Sequence, residues 1–198
     1  MYDFAMPYRA PDAANPRVQR TRDRMLAAAR ELLAEAGPAG LTYSVLAERA
    51  GVTRQTLYRH WPTRSGLLVD LILEGGSAGG YPEPGDDPAA VAAAWLASLR
   101  DGLLDQARRA AVVAVAAQAD VDPDSAQALA ELAADRLAAL NDLLQPSGVH
   151  VTANEYPLLY GPVLARIIFE RADATGDFIA SVVAQWLAGR QADSTGQG

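Results

Sequence analysis

The sequence predicts an all-α chain of two modules, and three observations carry that reading. Apolar residues recur at helical spacing through most of the 198 residues, and alternating β-branched runs are nearly absent. Several of those periodic stretches end at glycine or proline, as at Gly37-Pro38, Gly51, Pro62 and Pro146-Ser147-Gly148. One segment, GGSAGGYPEPGDDP (75–88), has eight Gly or Pro among fourteen residues and divides the chain. The divisions expected are an arm over 1–16, a first helical module over 17–74, a loop over 75–88, a second module over 89–190 and a frayed tail over 191–198.

The arm, with Pro7, Pro11 and Pro16, shows no periodicity. A helix is expected from Val18 to Ala36, because Met25, Leu26, Ala29, Leu32, Leu33 and Ala36 form an apolar stripe and Gly37-Pro38 ends it. Thr42 is placed to cap a short helix to Ala50, with Val45, Leu46, Ala47 and Ala50 facing inward. Gly51-Val52 is a turn, and Thr53 caps a second short helix to His60. Pro62 stops that helix and Thr63 caps the next, which runs to Glu74. Beyond the loop, five helices are expected: Pro88–Leu104, Gln106–Ala119, Pro123–Leu144, Ala153–Arg171 and Thr175–Gly189.

Composition excludes several classes of function. With no cysteine, the chain has no disulfide scaffold, thiolate-held metal or cysteine nucleophile. His60 and His150 are its only histidines, too few for a histidine-rich metal site. Carboxylate pairs such as Asp86-Asp87 and Asp122/Asp124 stand where helix capping accounts for them. The loop GGSAGG lacks the Gly-Lys-Ser/Thr ending of a phosphate cradle. No metal, cofactor or catalytic residue is therefore expected. The uncharged run Phe178–Gly189 falls short of the roughly 20 residues that cross a bilayer. The N-terminus lacks the basic start and apolar stretch of an export signal, so the expected location is cytoplasmic, with no membrane partner.

The formal net charge of −7 hides an uneven distribution. Every basic residue is an arginine. Residues 9–64 hold ten arginines against five acids, whereas residues from 75 onward hold seven against sixteen. A basic head on an acidic body suits a polyanion bound at one end only.

Two short helices joined by a glycine turn form a helix-turn-helix. Ala47 is small where the helices cross, Gly51 takes the turn, and Leu57 enters the core beneath the second helix. With Leu57 inside, Arg54, Gln55, Tyr58 and Arg59 lie on the opposite or flanking surface. These residue types hydrogen-bond phosphates and base edges.

The run from Arg20 to Leu68, with MLAAARELLAEAG, LT-x-x-x-LAERAGV, TLYRHW and RSGLL, resembles the DNA-binding domain of the tetracycline-repressor (TetR) family. Trp61 stands where phenylalanine is commoner and Arg64 where lysine is commoner. Both keep the physics, an aromatic plug and a cation at a helix start. Tyr43 and Ser44 replace the usual Thr/Ser-plus-variable pair.

The resemblance implies a three-helix DNA-binding domain followed by a helical ligand-binding and dimerisation domain. It implies a recognition helix, Thr53–His60, in the major groove, with Arg54 and Gln55 at base edges and Arg59 at a phosphate or a base. Thr53, Thr56, Tyr58, His60 and Arg64, with Tyr43 and Ser44 on the preceding helix, would set position on the phosphates. Arg9, Arg17 and Arg20 could reach the minor groove or simply be solvated.

For the second domain, the resemblance implies an effector pocket and a dimer interface. Trp95, Leu99, Leu103, Val112, Val115, Tyr156 and Tyr160 are candidates for the pocket, with an apolar or aromatic effector. Leu159, Val163, Ile167, Phe178, Ile179, Val182, Val183 and Trp186, on two wide apolar stripes, are candidates for the interface. The expected function is a homodimeric regulator, most simply a repressor of a palindromic operator in double-stranded DNA, released by a small molecule. The alternative is a helical ligand-binding adaptor that has lost specific DNA binding.

Overall fold

A computed structural model describes residues 16–74 and 81–195. Arg9 and most of the arm lie outside the described residues. The described chain is all helix and turn, with no strand. Its helices are α1 (Pro16–Gly40), α2 (Tyr43–Ala50), α3 (Arg54–His60), α4 (Arg64–Glu74), α5 (Pro88–Leu104), α6 (Gln106–Ala119), α7 (Pro123–Leu144), α8 (Tyr156–Leu164) and α9 (Gly176–Thr195). A three-residue 3₁₀ turn follows α7, and a π turn, Ala165–Phe169, follows α8.

The chain forms two compact units, and the 75–88 loop is not their only boundary. The first unit adds Asp105–Asp135 to the residues before the loop, so α6 and the start of α7 belong with α1–α4. The reason is apolar burial. Ala107, Ala111 and Val115, four residues apart on α6, are fully covered in one core with Met25, Leu26, Leu33, Leu57, Leu68 and Leu71. Arg30 on α1 also meets Asp105, the N-cap of α6, at 2.8 Å.

Within the first unit, Gly37 breaks α1 with a φ of 65° and a ψ of −172°. The ring of Pro38 follows it, so the regular part of the helix ends as the sequence predicts. Ala36 and Val45 are exposed rather than inward-facing, Val45 by 41%. The buried face of α2 is narrower than expected, made of Leu46, Ala47 and Ala50 only.

The second unit comprises 81–104 and 136–195 among the described residues. Here α5 packs on α8 and α9, which pack on each other. Leu96, Leu140, Leu144, Leu159 and Val163 are fully buried in this unit. Asn141 holds the approach to α8, donating to the Val151 carbonyl at 3.0 Å and accepting from its N–H at 2.8 Å. Thr152 and Glu155 cap the approach reciprocally, Thr152 N–H to the Glu155 carboxylate at 2.9 Å and Glu155 N–H to the Thr152 hydroxyl at 3.3 Å.

Two expected helices differ from those observed. Instead of one helix over 153–171, α8 carries Pro162, whose missing N–H and ring disturb the ladder. The chain then widens, with Glu170 N–H reaching back five residues to the Ala165 carbonyl, and Arg171 ends it at a φ of 56°. At the other end, α9 continues past Gly189 to Thr195, through most of the stretch expected to fray. Arg190 anchors its last turns by pairing with Glu155 and lying over the Trp186 ring, 5.5 Å from its centroid.

Candidate DNA-binding surface

The surface is built on one anchor and three caps. Leu57 is fully buried and fixes the rotation of α3, so that Arg54, Gln55, Tyr58 and Arg59 emerge into solvent. The Thr53 side chain accepts from Thr56 N–H at 3.2 Å and so starts α3. The Thr42 hydroxyl does the same for α2 through Val45 N–H, and the Thr63 hydroxyl for α4 through Gly66 N–H. Between α2 and α3, Gly51 adopts the left-handed conformation, φ 64° and ψ 41°, and its N–H closes the end of α2. The tight turn requires that conformation.

The C-terminal end of α3 is held by Trp61, which is 1% exposed. Its indole N–H donates to Asp70 on α4 at 2.5 Å, and Arg22 of α1 reaches the same carboxylate oxygen at 2.5 Å. The Arg22 guanidinium also covers the Trp61 ring, 5.7 Å from its centroid. One buried carboxylate thus joins α1, the end of α3 and α4. Asp70 and Arg22 were not among the expected site residues. An aspartate within the apolar run LLVDLIL was the available signal.

Several expected phosphate contacts have other work. The Tyr43 hydroxyl lies 2.7 Å from the Trp61 carbonyl and 2.8 Å from that of Thr63, and donates into that loop. Burial, and then the neighbouring Tyr58, push its ionisation up, with Arg64 opposing. The Tyr58 ring meets Tyr43 edge-on at 4.7 Å yet remains 54% exposed. Arg64 turns inward and donates to the Pro38 carbonyl, which ties α4 to the end of α1. It is therefore an internal tie rather than the outward cation expected. Ser44 and Thr53 are exposed, while Thr56 and His60 are half-buried. The His60 ring lies 5.6 Å from that of Trp61.

The structure also sorts the arginines of the basic head. Arg22 and Arg30 pair with Asp70 and Asp105, and Arg49 meets Glu35 at 2.8 Å. By contrast, Arg24, Arg54 and Arg59 are exposed and form no ion pair among the described residues. An open groove of about 290 Å³ beside α4 has Asp124, Glu131 and Asp135 in its lining. That side of the unit repels a polyanion, whereas the face of α3 does not.

In the second unit, Trp95, Leu103 and Tyr156 are buried, and Leu99 and Tyr160 are half-buried. Val112 and Val115 do not join them; both belong to the core of the first unit or pack against it. Seven of the eight residues expected at the dimer interface, all except the half-buried Phe178, are buried within the chain itself. They close the second unit's own core. The large apolar side chains that α8 and its π turn leave exposed are Leu158 and Phe169, 69% and 82% exposed. No group of three or more acidic or histidine side chains is placed to hold a metal among the described residues. No described helix is long and apolar enough to cross a membrane.

Short capped helices around a left-handed glycine, with a polar and cationic second helix, define a helix-turn-helix protein. Residues 25–71 match the family of bacterial regulatory proteins, tetR family. Over 58 residues the chain is 36% identical to YdeS of Bacillus subtilis (strain 168), an uncharacterized HTH-type transcriptional regulator. That match spans 29% of each chain.

Solved structures are similar in fold over most of the chain. A TetR transcriptional regulator from Rhodococcus sp. RHA1 has a TM-score of 0.57 and 21% identity, over 85% of this chain and 97% of that one. A TetR-family member from Streptomyces coelicolor A3 has a TM-score of 0.60 and 20% identity, over 84% and 97%. The multidrug binding protein EbrR, complexed with imidazole, has a TM-score of 0.61 and 18% identity, over 88% and 95%.

Proposed function

We propose that this chain is a DNA-binding transcriptional regulator that represses as a homodimer from a palindromic operator and is released by a small molecule. The observation that carries the reading is the face of α3, where Arg54, Gln55 and Arg59 stand exposed over a fully buried Leu57. Arginine pairs bidentately with guanine O6 and N7, and glutamine with adenine N6 and N7. Arg54 and Gln55 are assigned to base edges. Ser44, Thr53 and Tyr58 are assigned to phosphates, along with Arg59 where it does not meet a base. The inward Arg64 and Tyr43 hold the frame that presents them.

A helix of seven residues reads only a few base pairs, so a second copy is needed for a long operator. Two copies related by a twofold axis would read half-sites about 34 Å apart. The dimer face is assigned to the outward side of α8 and α9, with Leu158, Phe169, Ala180 and Ala184. These side chains are exposed in the single chain, unlike the stripes that close its core.

The ligand-responsive part is assigned to the second unit, following the likeness to a multidrug binding protein. Effector binding would shift the equilibrium between two arrangements, only one of which suits both half-sites. The proposed route enters through α4, α6 and α7.

Fluorescence anisotropy with labelled DNA from upstream of the chain's own gene tests the core of this reading. A regulator making ~6–10 phosphate contacts loses about three to five decades of affinity between 50 and 200 mM salt. Specific binding with that slope supports the proposal. Binding equal on all sequences, or none, favours a helical ligand-binding adaptor instead.

A further inference from the structure

Tyr81 is held the way proteins hold an aromatic ligand. Its ring stacks on that of Trp95 at 5.2 Å with an interplanar angle of 11°. On Tyr81 the Arg136 guanidinium also lies 5.5 Å from the ring centroid. Trp95 is 4% exposed and Tyr156 7% exposed, and the Tyr156 ring meets that of Tyr160 at 4.6 Å. Three rings and the cation come from helices α5, α7 and α8, yet Tyr81 comes from a stretch with no helix. Before α5 begins, the 81–87 stretch has one backbone hydrogen bond to another element among the described residues, Gly85 N–H to the Leu143 carbonyl at 3.2 Å. Arg136 forms no ion pair among the described residues.

We propose that Trp95, Tyr156 and Arg136 form a binding site for a planar aromatic acid, and that Tyr81 is its intramolecular occupant. The proposal rests on reading the second unit as the ligand-binding one, and it names the site and the ligand chemistry there. The indole offers a flat face for stacking. Arg136 can cover a ring and also pair with a carboxylate through two parallel N–H donors. The Tyr81 ring uses the first property only. A tethered ring competes at an effective concentration on the order of millimolar. A free ring without a charge therefore displaces it poorly, and a carboxylate bound by Arg136 supplies the difference.

The test uses the full chain and two probes, 4-methylphenol, which is the tyrosine side chain itself, and 4-hydroxyphenylacetate, the same ring with a carboxylate. Titration calorimetry of the wild type, Tyr81→Gly and Tyr81→Leu measures both. Opening the site removes the competitor, so both variants should bind the acid about tenfold more tightly than the wild type. In the Tyr81→Leu background, Arg136→Gln should weaken the acid about tenfold and leave 4-methylphenol within about twofold. The leucine has no ring to stack on Trp95 and serves if the glycine variant does not fold. Equal affinity in wild type and folded variants overturns the proposal, as does an Arg136→Gln variant that binds the acid unchanged. Acid binding that leaves DNA affinity untouched upholds the site and overturns only the ligand-release reading above.

Discussion

The Trp61 indole N–H donates to the Asp70 carboxylate at 2.5 Å, and that contact closes the end of α3 onto α4. Asp70 is 4% exposed and Arg22 supplies the compensating charge at the same distance. Such a pair contributes little net stability relative to a well-packed apolar replacement, because both groups are desolvated. Its value lies in direction. An indole N–H has one partner it can satisfy here, so Trp61 takes one orientation and α3 one end point.

Removing the acceptor leaves a largely buried guanidinium and an indole N–H without their partner. Asp70→Ala is expected to lose about 3–5 kcal/mol, measured by urea denaturation. Asp70→Asn keeps an acceptor for Trp61 and should lose less. Equal losses in the two variants would place the effect in the ion pair alone.

The outward face of α3 should behave differently. Arg54→Ala is expected to leave the urea midpoint unchanged and to cost ~1–3 kcal/mol in binding to a cognate operator, with a relaxed preference at one base pair. Binding measured across an operator library separates that outcome from a phosphate contact, which would weaken every sequence alike.

At the turn, Gly51 has a φ of 64° with nothing within 4 Å of an added Cβ. The cost of Gly51→Ala is therefore conformational rather than steric, about 1–2 kcal/mol for an L-residue held in the left-handed region. Thermal unfolding measures it. Thr53→Ala, which removes the cap of α3, should cost about 1 kcal/mol.

Acid should loosen both units. Burial raises the pKa of Glu155, but hydrogen bonds from the Thr152 N–H and hydroxyl, together with Arg190, outweigh it and leave the pKa lowered. Asp105 is likewise lowered, with burial opposed by the Arg108 N–H and by Arg30. A carboxylate whose folded pKa lies below its unfolded one adds stability above the unfolded value and loses it as pH falls through the folded one. Stability should thus hold from neutrality to about pH 5 and decline below ~4. Glu155→Gln should flatten that decline in urea unfolding followed against pH; an unchanged slope would remove Glu155 from the account.

Most helix limits were legible because local chemistry sets them. Thr42, Thr53 and Thr63 accept the first free N–H groups, and Gly37 and Gly51 take conformations that β-carbons resist. The face of α3 was legible for a similar reason, since one buried leucine fixes which way its neighbours point. What misled was reading charge and apolarity as directions. Arg64 looked like an outward cation but found a carbonyl at Pro38, 26 residues away in sequence. The stripes of α8 and α9 looked like a surface for a second chain, and their own chain covers them.

By itself, then, the sequence determined the helical class, the caps and turn of the helix-turn-helix, and the segregation of arginine from acid along the chain. All of these rest on interactions within a few residues, or on composition. Tertiary packing settled which arginines remain outside, that α6 joins the first unit, and that Tyr81 meets both Trp95 and Arg136. Those outcomes depend on partners distant in sequence, whose competition for a carboxylate, a carbonyl or an aromatic face leaves no periodic trace.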